Sequence, residues 1–183
     1  MGYYGRSFEL ANRVRPLKTK ADFKGLKMRC NLPTAVAAVA AMGAAPLKMS
    51  SSEVYMALQR KTIDGVVSGA QSIVKRKWNE TCKYLTLTYG GFSPWPVTVN
   101  TKFWNTLPPD IQQAVMEAAA EVSKISLEQA EKEDAAALSE ARKSMEICVL
   151  EGEWPEARDA GLSAWRKRSG DETADNVLKL LGM

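Results

Sequence analysis

Between Leu26 and Asn100, short extended segments take turns with segments of helical period, and this order constrains the fold more than any other feature of the chain. "LKMRC" alternates as a short strand does, with Leu26 and Met28 on one face and Lys27 and Arg29 on the other. "LPTAVAAVAAMGAA" follows as a helix, with Thr34 near its start and Gly43 near its stop. "APLKM" is a second extended piece. "SSSEVYMALQRKTID" reads as a helix that Ser50, Ser51 or Ser52 can cap, with Glu53 in its first turn and Gly65 at its end. "GVVSGAQSI" suits a strand and turn, "VKRKWNETCKYL" reads as a further helix, and "TLTYGGFSPWPVTVN" as extended chain broken by glycine and proline. Strand and helix in strict alternation argue for an α/β lobe with mostly parallel or mixed pairing, its sheet flanked by helices.

The stretch before Leu26 reads as irregular or extended, with Pro16 stopping any helix and Thr19 or Asp22 available as a cap. After Asn100 the character changes. Pro108, Pro109 and Asp110 start one long helix whose apolar positions Ile111, Val115, Ala118, Val122 and Ile125 recur at spacings of four and three. Past Glu128 the stripe thins and charge dominates, so the helix is a strut between lobes or a pairing element. "ICVL" reads as a returning strand, and the rest as terminal helical segments around Gly170.

Arg29 is the residue that asks for an explanation, because it is permanently charged and closes a short buried strand. Its five donors need a carboxylate, a phosphate or several carbonyls. Either an acidic residue of the protein or an anionic ligand meets that need. The helix that starts just after it places free amides and a positive dipole end nearby.

Composition removes several functions. The 183 residues suffice for one core or two small lobes, and the formal charge of +4 is modest. Basic residues gather at Arg13, Arg15, Lys18 and Lys20 and again at Lys75, Arg76 and Lys77, but acidic residues follow each cluster and no basic stripe is interleaved with aromatics. Nucleic acid is therefore not an expected partner. With no histidine at all, the commonest general base and the favoured transition-metal ligand are missing. Neither an enzyme, nor a metal, nor any cofactor is expected. Cys30, Cys82 and Cys148 lack zinc or disulfide spacing and read as small buried hydrophobes, with Cys82 and Cys148 the candidates for exposure. The longest apolar run, Thr34 to Ala45, is far short of the roughly 20 residues of a membrane span. No secretory signal opens the chain. The five tryptophans read first as core or surface anchors, with Trp95 set apart because Pro94 and Pro96 stiffen the backbone that carries it.

Four motifs in order, "RPLKTKADFKGLKMR", "AMGAAPLKMSSSEVYMALQRKTIDGVV", "KWNETCKYLTLT" and "NTKFWNTLPPDIQQAVMEAA", closely resemble the DctP-type substrate-binding proteins of tripartite ATP-independent periplasmic (TRAP) transporters. The match runs from about Arg15 to Ala120 and more weakly beyond. The resemblance implies a periplasmic, two-lobed clamp that closes over an organic acid, with one carboxylate or two, and hands it to a sodium-driven membrane permease. It makes Arg29 the carboxylate clamp and puts the family's asparagine contact on Ser68, since "DGVVSG" stands where many members have "DGQENP". Trp95 falls on chain that crosses near the cleft, where a flat indole favours a ligand with an apolar or aromatic body.

On the same resemblance, residues 1–93 correspond to the second ligand-binding lobe, 94–147 to a crossing strand and the long strut helix, and 148–183 to C-terminal segments packing back on the lobe. A signal peptide and most of a first lobe are expected to lie outside these residues. Val97, Val99, Ile111 and Val115 would then lack cover, which implies a homo-oligomer or domain-swapped assembly. The alternative is a truncated interaction module, outside transport, that assembles through the long helix.

Overall fold

The computed structural model describes residues 8–88, 97–152 and 154–180. In chain order these form β1 (Glu9–Asn12), a 3-10 turn at Lys20–Phe23, β2 (Lys27–Arg29), α1 (Pro33–Ala41), β3 (Ala45–Leu47), α2 (Val54–Gln59), β4 (Gly65–Ser68) and α3 (Ala70–Lys75). A 3-10 turn at Trp78–Glu80 leads to β5 (Tyr84–Leu87), α4 (Thr101–Trp104), α5 (Pro109–Ala141), β6 (Glu146–Val149), α6 (Pro155–Ser169) and α7 (Asp171–Leu180).

The strands make one six-stranded sheet in the order β3-β2-β4-β1-β5-β6. β2 is parallel to β3 and β4, and β5 is parallel to β6, whereas β1 runs antiparallel to both of its neighbours. The sheet is thus mixed and flanked by helices, as the alternation of segments predicts. Its middle is covered on both faces, so β4 and β5 are buried almost throughout instead of alternating.

Ala11, Val66 and Leu85 point to one face, where Val54 and Leu58 of α2, Ile73 of α3, Trp78 and Ala141 complete a core. Leu10, Met28 and Val67 point to the other, packed by Val39 and Met42 of α1, with Leu17 and Phe23. Cys30, Cys82 and Cys148 are all buried, so neither Cys82 nor Cys148 is an exposed thiol, and burial pushes the Cys30 and Cys82 thiols up to about 12.

Two boundaries differ from those expected. The helix that was to end at Gly65 ends at Gln59, with Arg60 as its C-cap and Lys61 left-handed at φ 59°, and Gly65 instead opens β4. Its missing side chain has a reason: a Cβ there would meet the Ala11 carbonyl oxygen, and Asn12 Cβ and Met28 Sδ at 2.8 Å each. The helix expected over "VKRKWNETCKYL" lies earlier, at Ala70–Lys75, because Lys77 is left-handed at φ 59° and drops Trp78 into the core through a 3-10 turn.

The long helix runs 33 residues from Pro109, about 50 Å at 1.5 Å per residue. Only its C-terminal half is packed: Ala130, Ala137 and Ala141 are buried beside α3, and Glu133 meets Lys75 at 3.1 Å. The apolar stripe of its first half, including Ile111, Val115, Val122 and Ile125, is exposed. None of the described helices is long and apolar enough to cross a membrane.

Candidate functional site

A sheet of parallel strands gathers ligand-binding groups beyond its carboxyl edge, where the strands stop and the loops into the helices begin. On β2 that edge is Arg29. Strand alternation sends Met28 into the core of one face and Arg29 to the opposite one, the face of its register partner Val66. Arg29 is also opposite Leu47 on β3, whose chain then turns through Met49 to Ser51 ahead of α2.

That turn receives the guanidinium. Nε and Nη2 of Arg29 both donate to the Met49 carbonyl oxygen, each at 3.1 Å, and Nη2 also donates to Ser51 Oγ at 3.2 Å. The residue is 3% exposed. Among the described residues no carboxylate pairs with it, and Nη1 donates to none of them. Burial therefore holds its pKa below the ordinary arginine range, and Arg76 nearby pushes the same way. Among the described residues only neutral oxygens satisfy this buried cation, an arrangement that leaves positive potential at the sheet edge.

The three serines divide their work. Ser50 and Ser52 hydroxyls pair at 2.7 Å, Ser50 N–H donates to the Glu53 carboxylate at 2.9 Å, and hydrogen bonding from the Ser50 side chain and then its backbone holds Glu53 below the usual carboxylate range. Ser51 alone turns to the arginine. Sequence reasoning took the run only as a helix cap and missed Ser51 and Met49. The signal for Ser51 was its place in the loop after the strand adjacent to Arg29, whereas a backbone carbonyl leaves no signal at all.

Ser68 ends β4, two residues past Val66, and so shares the face and edge of Arg29. Half-buried, it stands opposite Glu9 of β1. Glu9 is itself buried and accepts from Thr88 N–H at 2.9 Å. Trp95 lies outside the described residues. At the other end of the sheet a second arginine shows the contrast. Arg13 Nη2 donates to Asp64 Oδ1 at 2.6 Å, and Asp64 Oδ2 accepts from Lys27 N–H, so that charge is fully used in tying β1, β2 and β4 together.

A cavity of about 740 Å³ lies on the opposite face, between α1 and α6. Phe8, Val39, Val67, Leu162 and Trp165 give it an apolar lining. Phe8, Thr88 and Trp154 on its wall border segments outside the described residues. Polar groups on its wall, Thr34, Thr88, Arg158 and the Trp154 indole, are few beside the apolar ones.

Residues 3–169 match the family model described as bacterial extracellular solute-binding protein, family 7. The chain is similar to the 2,3-diketo-L-gulonate-binding periplasmic protein YiaO of Escherichia coli, at 38% identity over 62% of this chain and 35% of that one. It is also similar to the C4-dicarboxylate-binding periplasmic protein DctP of Rhodobacter capsulatus, at 34% identity over 66% of this chain and 37% of that one. Among solved structures, a TRAP periplasmic solute-binding protein from Ochrobactrum anthropi, with its C-terminus bound in the ligand-binding pocket, superposes with a TM-score of 0.84 at 30% identity, covering 97% of this chain and 57% of that one. The chain thus spans little more than a third of the two curated relatives.

Proposed function

Because the chain belongs to the bacterial extracellular solute-binding proteins of family 7, whose members bind ligands and do not transform them, we propose that it supplies an organic-acid-binding lobe of a TRAP-type transporter. In this reading Arg29 clamps the ligand's carboxylate, Ser68 contributes a polar contact from the neighbouring strand, and Trp95 packs on the ligand body. The bound acid is then delivered in the periplasm to a membrane permease, with residues 1–93 acting as the lobe, 94–147 as the crossing segment and strut, and 148–183 as packing segments.

One observation carries this proposal: a guanidinium 3% exposed, held by a carbonyl and a hydroxyl, with Nη1 donating to none of the described residues. A bound carboxylate would relieve the cost of that burial, and such charge-assisted pairs contribute about 1.5–3 kcal/mol.

Ligand-observed NMR with succinate, D-glucuronate and benzoate tests the proposal, since the method reads affinities as weak as an open half-cleft would give. Saturable binding of at least one acid, lost in Arg29→Ala, is the expected result. No binding, or equal binding without Arg29, rejects it.

A second reading rests on the exposed stripe of α5. A chain that assembles through that helix would act as an interaction module, and its association would be indifferent to Arg29→Ala.

A further inference from the structure

Resting on the reading of Arg29 as a carboxylate clamp, we infer that the Ser51 hydroxyl is the second donor of the clamp, so that the ligand carboxylate is held between Arg29 Nη1–H and Ser51 Oγ–H. A planar guanidinium offers five N–H groups along its edges. The edge formed by Nε and Nη2 is closed, because both atoms donate to the Met49 carbonyl oxygen. The other Nη2 hydrogen is aimed at Ser51 Oγ. The usual fork of two parallel N–H bonds to one carboxylate is therefore unavailable without dismantling contacts that the fold has already made.

What remains is Nη1 and, on the edge it shares with Nη2, the serine. In accepting from Nη2, Ser51 Oγ uses a lone pair and keeps its own proton. Among the described residues nothing accepts that proton, while the Ser50 and Ser52 hydroxyls satisfy each other. Acceptance from a cation polarises the hydroxyl and makes it a better donor. Ser51 is half-buried and touches Arg29, whereas Ser50 and Ser52 are exposed and contact each other. The carboxylate receives one N–H and one O–H, an unequal pair that fixes which oxygen faces the cation.

The test compares the affinities of succinate, D-glucuronate and benzoate by ligand-observed NMR in the wild-type chain, Ser51→Ala, Ser51→Thr and Arg29→Ala, reads the effect on each acid that binds, and follows the Arg29 Nε–H resonance in the same samples. Ser51→Ala is expected to weaken binding about five- to tenfold, the usual worth of one hydrogen bond, with the Nε–H resonance unmoved because Met49 still holds it. Ser51→Thr keeps the hydroxyl and stays within about twofold. Unchanged affinity in Ser51→Ala, with binding lost in Arg29→Ala, overturns the inference and leaves the clamp standing. Loss of the Nε–H resonance in Ser51→Ala also overturns it, because the serine would then only support the arginine. If the wild type binds none of succinate, D-glucuronate and benzoate, or Arg29→Ala binds them equally well, the clamp fails and the inference with it.

Discussion

Arg29 donates through both Nε and Nη2 to a single acceptor, the Met49 carbonyl oxygen, at 3.1 Å each. A carbonyl orients a guanidinium without neutralising it. The sheet edge is thereby given a rigid cation that no described carboxylate balances, a placement that costs stability in the free protein and that, in the proposed role, an anion would offset.

Replacing that cation should separate stability from binding. Arg29→Met fills similar space without charge, and is expected to leave thermal stability unchanged or raise it by up to about 2 kcal/mol while removing acid binding. Thermal unfolding checks this. A marked fall in midpoint would mean that the arginine's contacts to Met49 and Ser51 hold the fold and that no charge is being stored.

The other arginine predicts the opposite. Asp64 takes Arg13 Nη2 on one oxygen and the Lys27 N–H on the other, and both side chains of the ion pair are mostly buried. Asp64→Ala leaves two donors unpaired where three strands meet, at a cost of about 2–4 kcal/mol. Chemical denaturation of the variant measures it, and acid binding per folded molecule should not change.

Gly65→Ala adds one methyl where the Ala11 carbonyl, Asn12 Cβ and Met28 Sδ already converge. The first is backbone and cannot yield unless β1 and β4 separate. A loss of about 3 kcal/mol is expected, at the upper end for overpacking, again read by denaturation. A neutral result would show that the sheet spreads at this point more easily than its register implies.

Much of the fold was legible because its signals are local. Strand alternation at Leu26–Cys30, the Pro109 start of α5 and the left-handed Gly43, at φ 93°, each follow from neighbours in sequence. β1 falls in the stretch read as irregular or extended chain, where polar Glu9 and Asn12 give no alternation that marks a buried strand. Their burial is bought by partners far away or by backbone: Thr88 N–H for Glu9, and the N–H groups of Val14 and Arg15 for Asn12. At the candidate site, alternation gave the face of Arg29 but could not give Met49, whose contribution is a carbonyl. Ser68 came from resemblance, and the register then placed it on the same edge.

Acid should loosen two local structures. Asp22 accepts from Thr19 N–H, Lys18 N–H and Thr19 Oγ1, and Glu53 from Ser50; these bonds hold both carboxyls below their ordinary range. A carboxyl whose folded pKa is depressed stabilises the fold above its unfolded value and loses that contribution as pH falls, so the effect should appear below about pH 4. Amide exchange or circular dichroism from pH 6 to 3 would detect it. Asp22→Asn and Glu53→Gln should shrink the difference between the two ends.

The uncovered half of α5 makes the last prediction. Val115 is 45% exposed, Val122 53% and Ile125 57%, on one face of a helix whose packed half begins only at Ala130. A stripe of this kind holds apolar area in water at roughly 25 cal/mol per Å², and pairing two such stripes removes it without disturbing the sheet. Self-association that grows with concentration is expected in sedimentation. Val115→Lys with Val122→Lys should abolish it and leave thermal stability alone, since neither side chain belongs to either core cluster. A monomer at every concentration would mean that the exposed stripe does not pair with itself, and the reading of this chain as a self-assembling interaction module would then lose the observation on which it stands.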